Sequence, residues 1–127
     1  MYTVKDKRPV NLDIGSMRLP LTAWASITHR ASGVFIFIGM AVLLWALDAS
    51  LRSPESFVEL QDYLASPLTK FVIWSIAAGL IYHMVAGVKH LTMDMGIGES
   101  FEGGTLGARL VFAISAVLII FAGAWIW

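Results

Sequence analysis

The stretch Gly79–Asp94, GLIYHMVAGVKHLTMD, governs how the rest of the chain is interpreted. It is mostly apolar, yet it carries two histidines, one lysine and one aspartate. On a helix each residue advances by about 100°. Two glycines, two histidines and the aspartate then share one stripe: Gly79, His83, Gly87, His90 and Asp94. Because ionisable side chains are costly in an apolar helix inside a membrane, this stripe predicts a functional surface.

The two glycines lie about one turn either side of His83 and remove side-chain bulk there. The space can admit a large flat group, or another helix can press against the backbone. Our hypothesis is that the flat group is a haem and that His83 is an axial ligand of its iron. The competing interpretation is a hydrogen-bonded histidine that serves only helix packing.

Composition assigns the chain to the membrane proteins. Of its 127 residues 57% are hydrophobic and 14% charged, and the mean hydropathy is +0.74. The length fits one domain, 1–127. The chain has no cysteine, which excludes disulfides, a cysteine-bound iron–sulfur cluster and a covalently attached haem. A formal net charge of zero argues against binding to nucleic acid.

Hydropathy and start signals predict an all-α protein with three transmembrane helices and a short amphipathic loop helix. The predicted parts are an N-terminal arm at 1–20, spans at about 23–50, 68–94 and 106–127, and the loop helix at about Pro54 to Leu64. We expect Thr22, Ser53 and Ser66 to cap the helices that follow them. Five glycines predict a loop before the third span: Gly96, Gly98, Gly103, Gly104 and Gly107.

The orientation follows from the basic residues. The opening of the chain, up to Trp24, lacks an uninterrupted apolar core, so we expect no signal peptide and a retained first span. Seven of the nine Lys and Arg residues lie in the arm, at the start of the first span, or around the second loop. The positive-inside rule makes that side, with the N-terminus, cytoplasmic. Trp125 and Trp127 then lie at the opposite interface.

Three polar residues begin the first span. Ser26 and Arg30 are four apart and share a helix face, and His29 lies beside that face. If the first two spans pack together, His29 and Arg30 approach the histidine stripe, where a basic pair suits the two propionates of a haem. The alternatives are that Arg30 only extends to the interface and that Ser26 only bonds its own helix.

Three ordered motifs resemble the cytochrome b subunit of succinate dehydrogenase. The arm Arg8–Asp13 is similar to that family's RPxNLDL opening, and Ser26–Gly33 to its S-x-x-H-R-x-S-G motif. His83–Asp94 resembles its H-x-x-x-G-x-[RK]-H-[LM]-x-x-D motif. The resemblance extends over essentially the whole chain. Thr28 departs from it, because relatives usually carry an aliphatic residue there, and this could alter the lining of a quinone pocket.

The resemblance implies a large membrane anchor of bacterial respiratory complex II in the inner (cytoplasmic) membrane, with a periplasmic C-terminus. Its partners would be a second small membrane anchor, an iron–sulfur subunit and a flavoprotein subunit. The chain alone would not be catalytic. One haem b would lie between the two anchors, with His83 as one axial ligand and with His29 and Arg30 near its propionates. Ubiquinone would bind near Ser26 and Arg30, and His90 and Asp94 would form a proton relay.

Two other classes remain open. One is the anchor of another quinone oxidoreductase, such as fumarate reductase. A subunit that holds two haems within its own helices needs four histidines, and this chain has three. The other class is a cofactor-free membrane scaffold, which would show no Soret band in the visible spectrum of the purified complex.

Overall fold

The computed structural model describes Asp13 and residues 15–127, and this part of the chain is all-helical. Its helices are α1 (Leu21–Arg52), α2 (Pro54–Leu64), α3 (Pro67–Asp94) and α4 (Phe101–Ile126). The three long helices can cross a membrane by length and composition, with mean hydropathies of 2.2, 1.8 and 2.2 in chain order. The predicted fold class, three apolar spans with a short loop helix, is confirmed. Most of the motif in the N-terminal arm lies outside the described residues.

Local capping explains where α2 and α3 begin. The hydroxyl of Ser53 accepts a hydrogen bond from the backbone N–H of Ser56 at 3.1 Å. In the same way, Ser66 accepts one from the N–H of Thr69 at 3.3 Å. Each cap is followed by a proline, whose missing N–H costs nothing at the first helical position. The prediction for these two starts is confirmed.

The predicted cap of α1 is wrong. The helix begins at Leu21, so Thr22 lies inside its first turn, and the preceding Pro20 provides no side-chain cap. The carbonyl of Pro20 instead accepts hydrogen bonds from the backbone N–H groups of Ala23 and Trp24, at 3.0 and 3.2 Å. Proline's extended backbone followed by these bonds is enough to start the helix.

The glycine-rich loop is shorter than the sequence predicts. Ser100 caps α4 by accepting from the N–H of Gly103 at 3.0 Å, so Gly103, Gly104 and Gly107 lie within the helix. A side chain on Gly107 would contact Lys89 of α3 at 3.4 Å, which shows that this glycine lets two helices approach. The left-handed glycines, Gly96 and Gly98, have φ values of 82° and 76° and make the turn.

Small side chains form the contacts between the long helices. The buried residues of α1, α3 and α4 are mostly small: Ala25, Gly39, Ile76, Ala86, Gly104, Ala108, Val111 and Ser115. Large apolar side chains point outward, for example Phe37 at 80% exposure and Trp125 at 90%. This arrangement suits a protein covered by lipid or by other membrane helices, where association depends on close packing.

α3 lies against α1 along the glycine stripe. A Cβ added to Gly79 would come within 2.6 Å of the Phe35 ring, and one added to Gly39 within 3.1 Å of Ile76. On its far side α3 reaches α4, where the indole of Trp74 donates a hydrogen bond to the carbonyl of Ile119 at 3.0 Å. At Gly79, therefore, the space left by the glycine is filled by a side chain of α1.

Candidate functional site

The three histidines of the chain meet where α1 packs against α3. The rings of His29 and His83 are stacked, with centroids 4.2 Å apart and planes 25° from parallel. The ring of His90 lies 5.0 Å from that of His29 at an angle of 34°. His29 precedes His83 by 54 positions in the sequence, so only the α1–α3 contact brings the two together. His29 thus approaches the stripe as the sequence predicts.

One nitrogen of His83 is held by α1. Its Nδ1 lies 3.0 Å from the Ser32 hydroxyl and 3.2 Å from the His29 carbonyl. A Cβ added to Gly33 would approach the His83 ring to 3.2 Å, so the backbone of α1 borders this ring closely. The other nitrogen, Nε2, makes no hydrogen bond within the described part of the chain. It is available for another interaction.

His29 has an unpartnered polar atom. Its Nε2 is buried and makes no hydrogen bond to any residue that the structure describes. Gly87 of α3 packs close to this atom, since a Cβ added there would lie 3.6 Å from it. Leaving a buried ring nitrogen without a partner costs free energy. This atom is therefore a candidate contact for a group from outside the chain.

Ser26 and Arg30 contact each other on α1. The Arg30 guanidinium donates to the Ser26 hydroxyl at 3.4 Å, and Arg30 is exposed. Within the described residues the Ser26 hydroxyl donates to no backbone carbonyl of α1, unlike the Thr28 hydroxyl, which donates to the Trp24 carbonyl at 2.7 Å. No described carboxylate forms an ion pair with Arg30. The pair can present one hydroxyl and one positive charge to a ligand.

His90 and Asp94 lie at the end of α3, one turn apart. Asp94 is exposed, and His90 is half-buried. Within residues 13 and 15–127 no hydrogen bond or ion pair joins the two side chains. Their role in proton transfer stays a prediction.

Next to the histidines, one flank of the α1–α3 pair is not covered by any residue that the structure describes. On α3, Met84, Val88 and Leu91 each follow a stripe residue by one position and are 60%, 61% and 63% exposed. On α1, Val34 is 64% exposed. The opposite flank is covered by α4, where the Tyr82 ring stacks on Phe112 with centroids 5.8 Å apart. The histidine stripe therefore borders a surface that another membrane chain can cover.

A mostly apolar groove lies elsewhere. It has a volume of about 520 Å³ and lies between α1, α2 and α3, beside Trp45, Tyr63 and Val72. Its lining carries no ionisable side chain except the phenol of Tyr63. Because it lies at the other end of the spans from the histidines, it is not a candidate for redox chemistry.

The sequence did not predict two contacts of the site, one made by Ser32 and one by Thr28. Ser32 belongs to a motif, but its bond to His83 forms only because α1 packs against α3. The local sequence indicates only that Ser32 lies three residues after His29, whose carbonyl it contacts. Thr28 bonds to the Tyr82 hydroxyl, which also donates to the Ala25 carbonyl at 3.3 Å. Thr28 thus joins α1 to α3 beside the histidines.

Comparison with known proteins identifies the family. The family model described as "Succinate dehydrogenase/Fumarate reductase transmembrane subunit" matches residues 4–122. The chain belongs to this family. Together with the three apolar helices, membership makes it a multi-pass membrane protein. The resemblance carried by the three motifs is confirmed.

Relatives with similar names occur in several organisms. The chain is 38% identical to a "Succinate dehydrogenase cytochrome b556 subunit" of Coxiella burnetii, over 95% of this chain and 98% of the relative. It is 30% identical to a subunit of that name in Paracoccus denitrificans, over 91% and 89%. A mitochondrial "Succinate dehydrogenase cytochrome b560 subunit" of Dictyostelium discoideum is 24% identical, over 92% and 66%.

Proposed function

We propose that the chain is the cytochrome b membrane anchor of succinate dehydrogenase, and that with a second small anchor it binds one haem b and forms part of a ubiquinone site. The observation that carries the proposal is the position of His83. Its Nδ1 is held by α1, its Nε2 is without a hydrogen-bond partner among the described residues, and it borders the uncovered flank. The names of the relatives support the same function.

The residues fit a haem that is shared between two chains. His83 would bind the haem iron through its Nε2. Neither of the other histidines is placed to bind the same iron as a second ligand. His29 instead lies face to face with His83 at 4.2 Å, and His90 lies beside His29. A second histidine ligand would come from the partner anchor, as the family resemblance implies, and that anchor would cover the exposed flank of Met84 and Val88.

His29 and Arg30 would hold the haem propionates. The exposed Arg30 guanidinium can form a two-bond contact with a carboxylate. The Nε2 of His29 is buried and lacks a partner among the described residues, and a propionate oxygen that reached it would supply one. Bound here, the haem supplies reversible one-electron transfer within the membrane.

Ser26 and Arg30 bind the quinone. The Ser26 hydroxyl can donate to a ubiquinone carbonyl, and Arg30 stabilises the negative charge that develops on that oxygen during reduction. Both residues lie in the first three turns of α1, at the cytoplasmic membrane surface. The iron–sulfur and flavoprotein subunits dock on that side and deliver electrons from succinate. His90 and Asp94 lie at the C-terminal end of α3, on the same side of the membrane as Ser26 and Arg30, and carry protons towards the quinone.

Purification of the complex tests this function. A tag on this chain in a bacterial inner membrane should retain a second small anchor, an iron–sulfur subunit and a flavoprotein in mild detergent. The preparation should have a Soret band and should reduce ubiquinone with succinate. A complex that reduces quinone without any Soret band would refute haem binding. A preparation without the flavoprotein and iron–sulfur subunits would indicate a scaffold of another kind.

A further inference from the structure

We propose that Ser32 is a positioning residue for His83: its hydroxyl accepts the Nδ1 hydrogen, fixes the tautomer that presents Nε2 as a ligand, and sets the reduction potential of the iron bound there. This inference rests on the proposed function, in which His83 is an axial ligand. It assigns to a residue of α1 a role that acts through His83. The observation is a three-membered hydrogen-bond network between Ser32, His29 and His83.

The direction of each bond follows from what each atom can do. A hydroxyl has one hydrogen, and Ser32 donates it to the carbonyl of His29 at 2.6 Å. Towards His83, 3.0 Å away, Ser32 can therefore only accept. The His29 carbonyl also accepts only, and it lies 3.2 Å from the same Nδ1. Both contacts require the hydrogen on Nδ1. A neutral imidazole carries one such hydrogen, so Nε2 keeps its lone pair.

The network also tunes the ligand. A hydrogen bond donated by the outer nitrogen of a metal-bound histidine increases the basicity of the ligating nitrogen. A more basic ligand stabilises ferric iron relative to ferrous iron and lowers the reduction potential. Ser32→Ala removes the hydroxyl that accepts from Nδ1 at 3.0 Å and leaves the His29 carbonyl at 3.2 Å. The hydrogen therefore stays on Nδ1, but the basicity of the ligating Nε2 decreases. We expect the ratio of ferrous to ferric haem at a fixed potential to rise about twofold to tenfold, which is about 18–59 mV for one electron.

Matched variants separate this role from a general loss of polarity. Ser32→Thr keeps the hydroxyl, whose bond to the carbonyl three residues earlier is also available to threonine. Its extra methyl has room, because Ser32 borders an open groove of about 440 Å³. Thr28→Val removes another hydroxyl of the same helix, one turn away, which bonds Trp24 and Tyr82 but not His83. The potential should return to the wild-type value in Ser32→Thr and should not move in Thr28→Val.

The experiment is a redox titration of the haem in the intact purified complex, followed by its optical spectrum and by the low-spin ferric EPR signal. An upward shift in Ser32→Ala alone supports the proposal, and so does loss of the low-spin signal in Ser32→Ala with retention in Ser32→Thr. An unchanged potential in Ser32→Ala, an equal shift in Thr28→Val, or loss of the signal in both Ser32 variants overturns it.

His83→Ala, measured in parallel, distinguishes this failure from failure of the proposed function. If the low-spin signal disappears in His83→Ala while Ser32→Ala is unchanged, His83 is a ligand and only the role of Ser32 is refuted. If the signal survives in His83→Ala, the ligand assignment fails and the inference about Ser32 fails with it.

Discussion

Replacing Arg30 by leucine should slow quinone reduction by the assembled complex while succinate still reduces an artificial soluble dye at the normal rate. Arg30 donates to Ser26 and has no carboxylate partner among the described residues, so its charge is available to a ligand. A hydrogen bond from a charged group contributes about 1.5–3 kcal/mol. Because Arg30 is exposed, solvent screening favours the lower end of that range.

A loss near 1.5 kcal/mol corresponds to a decrease of about tenfold in kcat/KM for ubiquinone. Ser26→Ala removes a neutral hydrogen bond, which contributes about 0.5–1.5 kcal/mol, so its effect should be smaller, about twofold to tenfold. The order of the two variants is therefore part of the prediction. Arg30→Leu should also alter the haem spectrum if its guanidinium meets a propionate, whereas Ser26→Ala should not.

The assay compares two acceptors in the same membranes. The dye takes electrons from the flavoprotein and iron–sulfur subunits, so its reduction measures assembly, and ubiquinone reduction measures the membrane site. Arg52→Leu is the matched control, because Arg52 lies about 33 Å further along α1 and pairs with Asp48 at 2.9 Å from Nε. It should leave both activities unchanged. Normal quinone kinetics in both Arg30→Leu and Ser26→Ala would refute the assigned pocket, and an equal loss of dye and quinone activity would indicate failed assembly.

Two further predictions concern packing and topology. Gly79→Ala places a methyl 2.6 Å from the Phe35 ring, so the ring must move, and the denaturation midpoint of the detergent-solubilised complex should fall. Because Phe35 is 44% exposed and its ring can turn outward, the expected loss is about 1 kcal/mol, the lower end for overpacking. Gly104→Ala, whose nearest neighbour would be 3.4 Å away, should be nearly neutral, and equal midpoints for the two variants would contradict the packing. Because the chain has no cysteine, single cysteines can report its topology. In intact cells an impermeant thiol reagent should label Glu59→Cys on α2 but not Glu99→Cys in the α3–α4 loop. The reverse labelling pattern would mean that the proposed topology is inverted.

Local chemistry explains which parts of the fold could be predicted from the sequence. The starts of α2 and α3 are encoded by Ser53 and Ser66, each followed by proline, and cap and helix follow from those few residues. The start of α4 could not be predicted in the same way. Gly103 and Gly107 look like loop residues locally, whereas in the structure they lie in a helix and allow close approach to neighbouring segments. Tertiary contact overrides helix propensity there.

The candidate site likewise has a part that the sequence predicts and a part that it does not. The spacing of His83, His90 and the glycines is enough to place them on one stripe, because a helix fixes that geometry. What fills the space at Gly79 cannot be deduced from the spacing, and it is the Phe35 ring of α1. The hydrogen bonds of His83 are also hidden from the sequence, because Ser32 lies 51 residues earlier and on another helix.

The central claim is that His83, and not another histidine of the stack, binds the haem iron. The most direct test is the low-spin ferric EPR signal of the purified complex with His83→Ala, compared with His90→Ala as a matched histidine of the same helix and stripe. The signal should disappear or change in His83→Ala and persist in His90→Ala. An unchanged signal in His83→Ala would contradict the claim, and its loss only in His90→Ala would move the ligand to His90.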